Sequence, residues 1–246
     1  LETFEIAQDW LAKLIPHGIC VPSSTIITGP AGAAKELISS MIAASWLSKG
    51  GSLLHILTNY DRDHAEKLFS YHNVITNSFA GKIVYIAFDP QMKDFIKTGN
   101  DELRANLLNP DVFEATINKA KTMLLKSNSE ILTYMNAMNM LLYSKTYGTA
   151  IFNKYLTMVK DGQHYLFGLS NNVFPQKMHK IENASDNIIY VHGTGIMRLG
   201  LKIMKMKEVP FGQKEIETPH TEELISMHLR TIQKRRQTFV PIIRKI

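Results

Sequence analysis

From residue 24 onward, short apolar runs alternate with longer stretches whose apolar positions recur every three or four residues. Ser24–Thr28 (S-T-I-I-T), 53–57 and 82–88 (K-I-V-Y-I-A-F) have the length and β-branched content of buried strands. Between them, Leu37, Ile38, Met41, Ile42 and Leu47 predict a helix over 35–49, stopped by Gly50-Gly51, and 63–69 reads as a short helix. Upstream, Phe4, Ala7, Leu11 and Leu14 predict an amphipathic helix over 4–15 that Pro16-His17-Gly18 breaks. Residues 90–128 read as mainly helical, with Asn109 as N-cap, Pro110 at the first helical position and Asp111 suited to the dipole. Strands are predicted at 130–135, 164–169 and 187–192, and a helix at 150–160. The basic/apolar alternation over 198–208 predicts a long strand antiparallel to its neighbours. Thr218-Pro219 opens a final helix to about Arg236. Strands alternating with helices predict an α/β domain built on a parallel sheet.

No repeat, low-complexity linker or composition break divides the chain, so one domain over 1–246 is expected, with an N-terminal helix in 1–18 and a C-terminal helix and basic arm in 218–246. Apolar residues make up 45% and charged residues 20%, which excludes disorder and collagen-like repeats. No apolar run has the roughly 18 residues that a membrane span needs. The single cysteine, Cys20, excludes an internal disulfide framework and fits a cytoplasmic protein. The histidines show no H-E-x-x-H and no Cys/His ligand spacing, so no metal site is expected.

Charge changes this picture at one place. The net +6 comes from 28 basic and 22 acidic residues, and the last acidic residue is Glu223. Arg230, Lys234, Arg235, Arg236, Arg244 and Lys245 account for all of the excess, so the body is neutral and the C-terminus is basic. Such a segment can bind an acidic protein surface or nucleic-acid phosphates, or simply form the solvated face of a helix. Phe239 is its one aromatic residue, too few for a single-strand stacking platform. Residues 237–243 are apolar, and Pro241 keeps them out of a sheet interior. They can pack at home, on a second copy, or on another protein.

The turn after the first buried strand carries the candidate chemistry. A phosphate-binding loop reads G-x-x-x-x-G-K-S/T between a strand and a helix. Here the segment is Gly29-Pro30-Ala31-Gly32-Ala33-Ala34-Lys35-Glu36. Gly29 and Lys35 hold the pattern, and Gly32 keeps the turn glycine-rich. Ala34 replaces the second glycine and puts a Cβ where backbone should approach a phosphate. Glu36 replaces the hydroxyl that ligates Mg²⁺ and brings a negative charge to a site built for anions.

Several segments in order resemble the RecA superfamily of ATPases, most of all its archaeal KaiC-like and RadA-like branch. These are 21–35, the 182–189 segment (E-N-A-S-D-N-I-I), and Arg198-Leu199 followed by Lys205-Met206-Lys207. The resemblance spans roughly 20–210. It implies a doubly wound, mostly parallel sheet with helices on both faces, late antiparallel strands and a nucleotide site at the strand C-termini. It also implies a metal-holding aspartate where this chain has Asn136, and a water-activating glutamate at Asn59 or Tyr60, with Asp61 as a displaced stand-in. It further implies inter-subunit roles for Lys205 and Lys207, and for Phe4 in an F-x-x-A hook; alternating-strand residues and a plain apolar helix face explain them equally. With hydroxyl, metal carboxylate and base all altered, the expectation is a non-catalytic RecA/KaiC-like protein that needs no cofactor. Its partners would be a protein or peptide, or its own copies, with nucleic acid possible through the basic segment. The alternative is a divergent ATPase of DNA repair or signalling that binds ATP and Mg²⁺ and uses Asp61 as base.

Overall fold

A computed structural model describes residues 2–124 and 129–246. The strands are β1 (Thr3–Phe4), β2 (Ile19–Cys20), β3 (Ser24–Thr28), β4 (Ser52–Leu57), β5 (Ile83–Phe88), β6 (Phe95–Lys97), β7 (Glu102–Ala105), β8 (Ile131–Met135), β9 (Tyr165–Gly168), β10 (Asn187–Gly195), β11 (Arg198–Lys205) and β12 (Ile216–Glu217). The helices are α1 (Asp9–Ala12), α2 (Glu36–Ser48), α3 (Arg62–Ser70), α4 (Pro110–Leu124), α5 (Gly148–Met158), α6 (Pro175–Ala184) and α7 (Glu222–Ile243). Ten strands form one sheet in the order β12-β11-β10-β3-β9-β8-β4-β5-β7-β6. From β10 to β7 all neighbours are parallel. β11, β12 and β6 run antiparallel at the two edges, as the late strands were expected to do.

The central strands are continuous apolar runs because both of their faces are covered. Successive residues enter different cores: Ile27, Leu53 and Tyr85 pack with α2 and α3, whereas Ile26, Leu54 and Val84 pack with α4, α5 and α6. α2 is buried along almost its whole length, Glu36 through Leu47. Gly29 ends β3 where the backbone of β10 passes so close that a Cβ would fall 1.8 Å from the Val191 carbonyl oxygen. The first glycine of the loop is therefore demanded by strand packing as well as by any ligand.

Three expectations are corrected. The helix predicted over 4–15 shrinks to α1, because Phe4 pairs antiparallel with Ile19 in β1–β2 and leaves only Asp9–Ala12 helical. The stretch 90–128 is not mainly helical before Asn109. β6 and β7 form a hairpin that caps the sheet edge, because Leu103 and Ala105 find fully buried places there. Residues 125–128 of that stretch lie outside the described residues. Finally, the last helix does not stop at Arg236. α7 continues through Pro241 to Ile243, because Val240 and Ile243 bury in the second core, at the cost of one hydrogen bond near its end. Among the described residues, no helix is long and apolar enough to cross a membrane.

Candidate functional site

The segments that follow β3, β4, β8 and β9 converge at the C-terminal edge of the parallel strands, the usual ligand crevice of such sheets. The 29–36 loop supplies the floor. Gly32 has φ 84°, and Ala34 takes the glycine-like φ of 44°, so the methyl at the second glycine position sits in strained backbone. Lys35 is buried, and its Nζ donates to the Pro30 carbonyl at 2.7 Å. Burial pushes its pKa down to about 8 against the pull of Glu36, and the charge of Arg236 adds to the drop.

Glu36 opens α2 and does not pair with Lys35. Its Oε1 accepts from Asn59 Nδ2 at 2.8 Å, and its Oε2 lies 3.2 Å from His228 Nε2. His228 is fully buried on α7, and its Nδ1 lies 2.8 Å from Nε2 of His64 on α3, with the two rings stacked at 5.1 Å. One assignment accounts for both contacts: His64 donates to His228, and His228 donates to the carboxylate. Burial opposes ionisation of Glu36, but the His228 hydrogen bond and nearby Lys35 hold its pKa down at about 2. Burial, with His228 alongside, holds His64 down at about 4.

α7 is thus a strap across the crevice. Thr221 caps it by accepting from the Leu224 amide, and Ile225 anchors it in the first core. About 27 Å of helix later, at Ile243, its other end lies in the second core. Between the anchors, Leu229, Ile232 and Arg236 project onto the loop, and the cavity left there is only about 70 Å³. Ligand pockets for small molecules are commonly about 300–1,000 Å³.

Asn136 ends β8 beneath this crevice, fully buried, and neither polar atom of its side chain has a partner among the described residues. The neighbouring Tyr60 hydroxyl is taken by His55 and Tyr134. Asn139 is fully paired, bonding Ser170 and Val173 and so pinning the loop after β9. Asp61 lies outside the crevice and caps α3 by accepting from the His64 amide at 3.0 Å.

The remaining sequence candidates scatter. Arg236 reaches the loop cavity and donates to the Tyr143 hydroxyl, and Arg244 lies over the same ring. Arg235 and Phe239 stack on each other at 4.1 Å beside Asp61, in a separate cleft. Arg230 and Lys234 point to solvent. The basic segment is therefore part of a docked helix and not a free arm. Lys205 and Lys207 sit at the opposite end of the sheet, against the Ser185 carbonyl and beside Asp186. Phe4 is buried edge-on to Trp46 and faces inward in this chain. His64 and His228 were missed from sequence. The available signal was a histidine on the apolar stripe of α7, in step with Ile225, Leu229 and Ile232.

No family model matches the chain, and no curated protein matches it in sequence. Among solved structures it is similar to a KaiC-like protein from the hyperthermophilic archaeon Pyrococcus horikoshii, at 12% identity and a TM-score of 0.67 over 90% of this chain and 96% of that one. It is also similar to the flagellar accessory protein FlaH from Methanocaldococcus jannaschii, at 17% identity and a TM-score of 0.61 over 88% and 94%. The chain has the RecA-like fold of these proteins.

Proposed function

We propose that this chain is a RecA-fold protein without ATP hydrolysis, acting as a protein-binding or regulatory scaffold whose inherited phosphate-loop crevice is closed by its own C-terminal helix. The observation that carries this reading is the Glu36–His228 contact, which fastens α7 over the loop and leaves about 70 Å³. The residues present do not fit Mg²⁺ and a nucleotide triphosphate. The hydroxyl position is a carboxylate already committed to Asn59 and His228, and the metal-carboxylate position is the neutral Asn136. Asp61, the alternative base, is engaged as a helix cap and does not line the loop cavity. Partner binding is favoured over nucleic acid because Arg236 and Arg244 are laid over the Tyr143 ring of the body and Arg235 over Phe239 of its own helix.

Millimolar ATP with Mg²⁺ should leave the melting temperature unchanged and release no phosphate. A ligand present at a hundred times its Kd would add about 2.7 kcal/mol, a rise of several degrees for a chain of this size. A rise of that kind, or steady phosphate release, would refute the proposal.

A further inference from the structure

A second cleft opens at the C-terminal ends of β5 and β7, between the start of α3 and the last turns of α7. It holds about 380 Å³, within the range of small-ligand sites. Its walls carry Arg104 and Arg235 together with Asp61, Asp63 and Asp89. Arg62 beside them is spent, forming two parallel bonds to Asp101 at 2.8 and 2.9 Å and one to Glu66. Arg104 and Arg235, by contrast, have no carboxylate within 4 Å among the described residues. Among the described residues, Arg235 Nε is buried without an acceptor, and another nitrogen of that guanidinium reaches only the Phe88 carbonyl at 3.3 Å. Burial pushes the Arg235 pKa down, the charges of Asp61 and Asp89 pull it back up, and Arg104 adds a smaller drop.

A buried donor left unmade is costly, and the Arg104 charge offsets part of what the aspartates give Arg235. One planar oxyanion between the two arginines relieves both, because guanidinium groups match carboxylates in a forked geometry. The opposite charges in the cleft are committed through one oxygen only. Asp61 and Asp89 each use one oxygen on a nearby backbone amide. Charges of both signs held apart across an open cleft are completed by a ligand that carries both. A free phosphate would meet three carboxylates, and a divalent cation would meet two arginines.

We propose that this cleft binds a zwitterionic ligand of the amino-acid or peptide class, its carboxylate between Arg104 and Arg235 and its ammonium group against Asp61 and Asp89. The site does not depend on whether the loop crevice takes a nucleotide. The source can be a free small molecule or a charged segment of a protein partner, since the recognised chemistry is the same.

Isothermal titration of the full chain with alanyl-leucine, N-acetyl-alanyl-leucine, inorganic phosphate and a doubly blocked peptide bearing lysine and glutamate side chains tests this. Saturable binding of alanyl-leucine, or of the blocked peptide, is expected; the former assigns a small molecule and the latter a partner segment. N-acetylation should weaken the dipeptide at least tenfold, and so should Arg104→Gln, an exposed position whose replacement leaves the fold intact. Arg235→Gln and Asp89→Asn should act in the same direction. The proposal fails if neither zwitterionic probe binds, if phosphate binds more tightly than both, or if Arg104→Gln leaves the affinity unchanged.

Discussion

Replacing His228 by alanine should destabilise the protein by about 3–5 kcal/mol, because it leaves a buried carboxylate short of a hydrogen-bond donor and a cavity where the ring stood. The substitution strands the Glu36 carboxylate, buried at the head of α2, with Asn59 as its one remaining side-chain partner. It also removes the ring that stacks on His64 and half of the bond that holds α7 across the crevice. For a chain of this length the melting temperature should fall by roughly 6–20 °C. Glu36→Gln should cost far less, because no charge is left behind. Glu36→Leu introduced into the His228→Ala protein should restore much of the loss. That coupling separates charge from packing: equal losses in all three proteins, measured by urea unfolding, would mean that the contact contributes only shape.

The second large effect is acid instability. His55 is fully buried and stacked on Tyr134, and burial pushes its pKa down to about 3. His164, packed against Trp46, is held by burial at about 4, and burial also lowers His64, His72 and His220 to about 4. In the unfolded chain these groups titrate near their ordinary value of about 6.5. The unfolded state therefore takes up protons first. The stability of these neutral rings is complete above pH 6.5 and is lost as pH falls toward 4. His55 and His164 alone correspond to roughly 8 kcal/mol, comparable with the whole stability of a typical domain. Glu36, held low, adds a further loss only below about pH 4.5. The protein should unfold with a midpoint near pH 5, seen as loss of far-UV circular dichroism. A urea midpoint that stays constant from pH 7 to pH 5 would contradict this account.

Much of the fold is written locally. The S-T-I-I-T run is β3 residue for residue, because β-branched side chains between turn formers leave few alternatives. The loop from Gly29 to Glu36 and the helix behind it follow from glycines, a lysine and a stripe of apolar residues, all within one short segment. The strand–helix alternation then specifies a parallel sheet, and the ordered resemblance specifies its kind. Local reading failed where strands are short and depend on a distant partner. Phe4 became strand because Ile19 was available to pair, and 95–105 became a hairpin because β5 offered an open edge.

The candidate site divides in the same way. The order of residues shows that the loop carries a carboxylate in place of a hydroxyl and that the body is neutral with a basic C-terminus. What those features do depends on which segments the fold brings together. Glu36 and His228 stand 192 residues apart, and no local pattern predicts that they meet. An amphipathic stripe tells a helix which face to bury but not which surface to cover. The surface that α7 covers is the crevice itself, which Arg236 lines while Arg230 and Lys234 face solvent. Periodicity is a property of one segment, whereas a ligand crevice, a buried charge and its partner are properties of segments brought together.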